Sequence, residues 1–175
     1  MKFALTNICI VGPMMIYTSG VLSSSTEHET LEVIQQRKLE TVCHKINLQK
    51  GDRMLDIGCG WGTLAVHAAT QGANATGVTL GRNQNEWAMK QAAEKGVTDN
   101  VRILCMDYRD IPKEKYDKIT CLEMAEHVGV VRFTTFLDQV RGMLEDDGLF
   151  FLQIAGLRRA WQYEDLQWGV RSIFD

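Results

Sequence analysis

The chain has 175 residues, of which 45% are hydrophobic and 23% charged. These values exclude a disordered or fibrous class and leave room for one core but not two. The 19 Lys and Arg against 22 Asp and Glu give a net charge of −3, and the pI is ≈ 5.8, so no overall field draws the chain to nucleic acid. The 5 cysteines (Cys9, Cys43, Cys59, Cys105, Cys121) are odd in number and never form a C-x-x-C pair. That pattern reads as reduced thiols in an intracellular protein, without a disulfide framework or zinc finger.

Phe3 to Tyr17 opens the chain. Lys2 followed by Phe3-Ala4-Leu5 and Ile8-Cys9-Ile10-Val11 has the charged start and apolar centre of a signal peptide. Asn7, Gly12 and Pro13 interrupt it, no cleavage site follows, and it is too short to span a bilayer. It reads instead as a buried or membrane-apposed segment. Ser23 to Thr26 is a polar break, and Thr26-Glu27-His28-Glu29 offers a helix start with acids in its first turn. Leu31, Ile34, Leu39, Val42 and Ile46 then fall near helical spacing, predicting a core-facing helix up to Asn47.

From Gly51 onward strands and helices alternate. Strands are predicted at 53–57, 75–80, 101–106, 116–122 and 149–154, and helices at 63–70, 83–94 and 132–144. Phe133, Phe136, Leu137 and Val140 form one stripe of the last helix. Such alternation means βαβ units, hence a parallel α/β sheet covered on both faces, with ligands beyond the carboxyl ends of its strands.

Asp56-Ile57-Gly58-Cys59-Gly60-Trp61-Gly62 lies where the first strand turns into a helix. Alternate glycines allow a tight turn and a close approach of backbone to ligand. A dinucleotide fingerprint needs G-x-G-x-x-G and an acid about 20 residues on. Thr63 stands at the shifted third position and Thr79-Leu80-Gly81-Arg82-Asn83-Gln84 where the acid belongs, so a nicotinamide cofactor is the weaker reading. The loop resembles instead the S-adenosyl-L-methionine loop of class I methyltransferases, with Asp56 facing the ligand's amino acid end. Packing glycines in a plain turn remain an alternative. Asp107-Tyr108 follows the third strand: an Asp there can accept from the adenine amine and an aromatic can pack on the ring, or Asp107 can simply cap a turn.

Tyr17-Thr18-Ser19-Gly20, Leu55 to Gly62, Gly77 to Leu80, Asp107 to Asp110 and Glu126-His127-Val128-Gly129 occur together and in order. The combination resembles the cyclopropane fatty acid synthase family over nearly the whole chain from Tyr17. Thr79 to Gln84, Leu122 to His127 and Phe151 to Leu157 look most like the fungal sphingolipid C9-methyltransferases within it.

The resemblance implies a Rossmann-like class I methyltransferase using S-adenosyl-L-methionine. Residues 1–50 would cover the cofactor site, 51–157 form the core and 158–175 begin a lipid site. Tyr17 and Thr18 match the pair that closes over the cofactor. Leu55, Asp56, Ile57, Gly58, Cys59, Gly60, Trp61, Gly62 and Thr63 match its glycine loop. Thr79, Leu80, Gly81, Arg82, Asn83 and Gln84 match the ribose segment, with Gln84 replacing an acid, and Asp107 and Tyr108 match the adenine contacts. Glu126 matches a carboxylate that holds bicarbonate beside the reacting carbon in bacterial cyclopropane synthases. His127 beside it is a proton carrier or a structural histidine.

The implied partner is a lipid bearing a carbon–carbon double bond, at an intracellular membrane surface, the endoplasmic reticulum by resemblance. No nucleic acid and no metal are expected, since H-x-x-E-H would need His at Glu123. Attack by an alkene leaves a carbocation; losing a proton from the new methyl closes a cyclopropane, and losing it from an adjacent chain carbon leaves a methyl-branched alkene. The chain departs from the bacterial pattern with Ser19 for Cys and Gln153 for His, which favours the methyl-branched product. Cyclopropane or sterol-type alkylation and an inactive cofactor-binding fragment are the alternatives. Trp161 to Trp168 is an acyl-chain wall or a surface helix. The closing antiparallel strands of the class and a C-terminal catalytic tyrosine would fall after Asp175, so the sequence reads as a fragment.

Overall fold

The computed structural model describes residues 12–23 and 28–155. The stretch through Val11, the Thr26-Glu27 helix start and the Trp161 to Trp168 segment lie outside the described residues.

Helix α1 spans Leu31–Lys45 and begins later than its sequence suggests, at Thr30, whose hydroxyl accepts from the Val33 amide at 3.4 Å. A Thr in extended backbone at this position supplies one of the acceptors that a helix start lacks. The buried stripe of α1 holds Leu39, Val42 and Cys43 and, unexpectedly, the polar Gln35 and Lys38; Leu31 is exposed.

The alternation follows in order: β1 (Arg53–Ile57), α2 (Thr63–Thr70), β2 (Asn74–Thr79), α3 (Arg82–Glu94), β3 (Val101–Cys105), β4 (Tyr116–Leu122), α4 (Val130–Met143) and β5 (Leu144–Gln153). All pairings are parallel, in the order β3-β2-β1-β4-β5. Successive side chains of a strand face opposite sides. On β1, Met54 packs with Leu39, Val42, Leu64 and Ala68 on the face of α1, α2 and α3, while Leu55 and Ile57 pack with Ile119, Phe136 and Val140 on the face of α4. Each such side chain contributes roughly 1.5–3 kcal/mol on full burial. Small residues on α2 and α3 (Ala65, Ala68, Ala69, Ala88, Ala92) bring these helices close to the sheet.

β5 differs most from expectation. The strand expected at 149–154 instead starts at Leu144, directly after α4, and takes up the extra residues as a bulge: Tyr116 pairs Leu144, then Lys118 pairs Leu149. Arg53 holds this corner, 2.9 Å from Asp117 and 2.7 Å from Glu145.

The chain leaves β1 toward β2 on one side and places β4 on the other, so a topological switch point lies between β1 and β4. Ligands of such sheets bind there, beyond the carboxyl ends. No helix among the described residues is long and apolar enough to cross a membrane.

Candidate active site

The loops that flank the switch point both pass through left-handed backbone. After β1 the glycine loop takes positive φ at Gly58 (77°), Gly60 (53°) and Gly62 (75°). A methyl at Gly58 would stand 2.5 Å from Met124 Cγ, and one at Gly62 would stand 2.4 Å from the Ala88 Cβ. Both the turn and the packing therefore require glycine. After β4, Glu123 occupies the same left-handed region at φ 53°, which costs a side-chain-bearing residue about 1–2 kcal/mol.

Residues 12–23 form a strap fastened across the loop. Gln35 Nε2 donates to the Thr18 carbonyl at 2.8 Å, Arg37 Nη1 to the Val21 carbonyl at 2.8 Å, and Thr63 Oγ1 to the Met14 carbonyl at 2.7 Å. Lys38 donates to the Thr18 hydroxyl. Met15 is buried, and Tyr17 remains 59% exposed.

Two hollows open here. The first, about 270 Å³, is lined by Tyr17 and Thr18 of the strap, by Asp56, Gly58, Cys59, Gly60, Trp61 and Thr63, and by Thr79, Leu80 and Gln84. Its remaining polar wall is Lys38, Glu123 and His127. The second, about 370 Å³, is walled by Asp107 and Tyr108 and shares Gly58, Thr79, Leu80, Met124 and His127 with the first. The shared wall makes them one elongated cleft in the size range of small-molecule sites. Leu55 and Ile57 instead fill the α4-side core, Gly62 precedes α2, and Gly81, Arg82 and Asn83 lie at the start of α3; none of these lines either hollow.

Asp56, 3% exposed, accepts from the Thr120 hydroxyl at 2.8 Å. Burial pushes its carboxyl up to about 6, against the opposing pull of Thr120 and the Lys38 charge. Lys38, 2% exposed, is pushed down by burial and held up by Glu123 and Asp56. Burial raises the Cys59 thiol well above its usual range, making it a poor nucleophile. Gln84 Oε1 accepts from the Thr79 hydroxyl at 2.5 Å, which leaves the amide hydrogens free to donate. Asp107 caps the short turn Tyr108–Asp110, and Arg109 engages both of its oxygens, at 2.8 Å and 2.6 Å, holding the carboxyl down at about 2. The capping role and the place on the cleft wall thus coexist. Tyr108 packs edge-on against Phe136 with centroids 5.6 Å apart.

Ser19 and Gln153 do not line the cleft but converge on Glu123: the Ser19 amide donates to its Oε1 at 3.0 Å and Gln153 Nε2 to the same oxygen at 2.5 Å. Burial raises the Glu123 carboxyl, but the Ser19 hydroxyl and amide, Gln153 and the Lys38 charge outweigh it, and the group lies below the ordinary carboxylate value. Glu126 lies in the following turn. Its Oε1 accepts from the Ala155 amide at 2.5 Å, its Oε2 is buried without a partner, and it lines neither hollow. No group of three or more His, Cys, Asp or Glu among the described residues could hold a metal ion.

Sequence reasoning missed Lys38 and Glu123. The signal for Lys38 was the gap between Ile34 and Leu39 in the apolar stripe, where an inward-facing position carries a charge.

The sheet order, the Asp-led glycine loop and the cleft at the switch point are those of the class I S-adenosyl-L-methionine-dependent methyltransferases. Within that class the chain belongs to the mycolic acid cyclopropane synthetase family, matching it over residues 8–175. It is 59% identical over 164 residues to sphingolipid C9-methyltransferase A of Emericella nidulans, covering 91% of this chain and 32% of the relative. The cyclopropane synthase MmaA2 from Mycobacterium tuberculosis superposes with a TM-score of 0.77 at 31% identity, covering 86% of this chain and 52% of that one. The mycolic acid cyclopropane synthase CmaA1 complexed with SAH and CTAB gives 0.73 at 27% identity, covering 81% and 49%. The chain thus spans about a third of the length of the curated relative.

Proposed function

We propose that this chain carries the cofactor-binding core of an enzyme that transfers a methyl group from S-adenosyl-L-methionine to a lipid carbon–carbon double bond, at C9 of a sphingoid base in sphingolipid biosynthesis. One observation carries the reading: a cleft with free donors at Gln84 and a buried acid at Asp56 in a chain 59% identical to a sphingolipid C9-methyltransferase over 91% of its length.

The residues fit the cofactor. The Asp56 carboxyl is a buried anion that gains from an ammonium group beside it. The Gln84 amide donates to ribose oxygens, and Asp107 and Tyr108 frame the adenine end. Tyr17 and Thr18, the latter held by Gln35 and Lys38, would keep water from the sulfonium, which supplies an electrophilic methyl. Thr63 and the loop from Gly58 to Gly62 shape the wall at that end. An alkene is a weak nucleophile, so this exclusion and alignment are the main contribution of the fold. Ser19, Gln153, Glu126 and His127 gather near the carboxyl end of β4, where the carbocation and its departing proton must be handled. Ser and Gln in place of a thiol and an imidazole favour the methyl-branched product. The lipid substrate places the work at a membrane surface, that of the endoplasmic reticulum.

Calorimetric titration of the chain with S-adenosyl-L-methionine, NADH serving as control, tests the assignment. Binding of the methyl donor alone is expected. A chain folded by circular dichroism that binds neither, or binds NADH, would overturn it.

A further inference from the structure

Glu123 has features that a surface carboxylate lacks. It sits in left-handed backbone at the exit of β4, on the switch-point side, and its side chain lines the first hollow. Three separate parts of the fold hold it: the strap through the Ser19 amide, β5 through Gln153 Nε2, and α1 through the charge of Lys38. The Ser19 amide and Gln153 Nε2 both end on Oε1, and the Ser19 hydroxyl also bonds to the carboxylate, so the group is fixed from the strap and from β5. Strained, over-determined residues of this kind cluster where chemistry is done. The other carboxylates nearby are already placed differently. Asp56, on β1, accepts from Thr120 of the neighbouring β4, Asp107 is engaged by Arg109, and Glu126 lines neither hollow.

We propose that Glu123 is the internal base of the methyl transfer, stabilising the lipid carbocation and then removing its proton. The inference rests on the function proposed above. The alkene π pair forms the new carbon–carbon bond to the methyl group, and the former carbon–sulfur pair stays on sulfur. The neighbouring carbon is left cationic beside the Glu123 carboxylate. The C–H pair of the carbon that received the methyl then becomes the new π bond, and its proton passes to the Glu123 carboxylate and on to solvent between turnovers. A hydrogen next to a carbocation is strongly acidic, so a carboxylate that stays ionised at neutral pH serves better than a stronger base that is half protonated. Ser19 and Gln153 are positioning residues in this scheme. The ionisable groups sharing the hollow with Glu123 are Tyr17, Lys38, Asp56, Cys59 and His127.

The test compares the wild-type chain with Glu123→Gln, which keeps the shape and the acceptor toward Ser19. Titration should give the same affinity for S-adenosyl-L-methionine within about twofold, while turnover on an unsaturated sphingolipid falls by about 10²–10⁴-fold, the usual range for a lost general base. A binding measurement needs no turnover. Dioctylammonium, a stand-in for the cationic chain, should bind wild type at least about tenfold more tightly than dioctyl ether, as expected for a site complementary to the cation. Glu123→Gln should erase that preference, and Glu94→Gln, an exposed carboxylate of α3 outside both hollows, should keep it. Equal turnover in Glu123→Gln, or a cation preference that survives it, would overturn the proposal. Failure of the wild-type chain to bind the methyl donor would instead count against the function itself, leaving the cation preference to decide the role of Glu123. If Glu123→Gln does not fold, Gln153→Leu removes one donor and should move the acid limb of the rate profile at saturating methyl donor to higher pH; an unmoved limb would equally overturn it.

Discussion

Asp56 and Lys38 set the electrostatics of the cleft from opposite sides: a buried carboxyl raised to about 6 and a buried ammonium pushed down by the same desolvation. Because the folded Asp56 holds its proton more tightly than the unfolded chain does, its contribution to stability is largest near pH 4 and declines as pH rises toward 6. From 3.8 to about 6 this amounts to about 3 kcal/mol. In denaturant unfolding, Asp56→Asn, which cannot ionise, should gain about 3 kcal/mol of stability relative to wild type between pH 4 and pH 7. A ligand ammonium reverses the preference, so affinity for S-adenosyl-L-methionine should weaken as pH falls through about 6 in wild type but not in Asp56→Asn. Titrations across that range check it, and parallel profiles for the two proteins would remove Asp56 from the cofactor site. Lys38 leaves only the gap in the apolar stripe of α1 as a mark in the sequence, and Glu123 leaves none. A lysine in a helical pattern ordinarily marks the solvated face, and a positive φ at a glutamate leaves no mark in composition or spacing.

At the scale of elements, β1, α2 and β4 have the bounds read from the sequence, because glycine or charge breaks bracket short apolar runs there. β5 reads from the sequence only in its later part, since its extension back to Leu144 rests on the pairing with Tyr116 across a bulge, which leaves no local pattern. The helix start at Thr30 was displaced for a related reason, since several polar residues in a row could each cap. The glycine loop was legible as a motif, but not its packing. Gly62→Ala sets a methyl against Ala88 in a backbone that disfavours it, so a loss of about 2–4 kcal/mol is expected in denaturant unfolding. Ala88→Gly in the same chain should recover part of that loss despite its own helix cost of about 1 kcal/mol. Additive losses would show that the contact with α3 is not what selects glycine.

Across the whole molecule, the cleft joins the strap, α1, the sheet and the turn after β4, so the methyl donor should tie all of them together. Donor at 100 times its Kd should add about 2.7 kcal/mol of stability. For a chain of this length that corresponds to a melting shift of roughly 5–10 °C, readable by scanning calorimetry. A shift confined to the NADH control would reverse the cofactor assignment. The family and the parallel order were legible because βαβ alternation and ordered loop motifs survive in the sequence; the way two hollows merge past the Gly58 turn was not, since it depends on Met124 and Leu80 approaching from different strands. The most direct measurement is proton NMR of the lipid recovered after incubating the chain with S-adenosyl-L-methionine and an unsaturated sphingolipid. A new methyl singlet on a retained trisubstituted alkene is the expected result. High-field cyclopropane signals, or unchanged lipid from a chain that binds the donor, would contradict it.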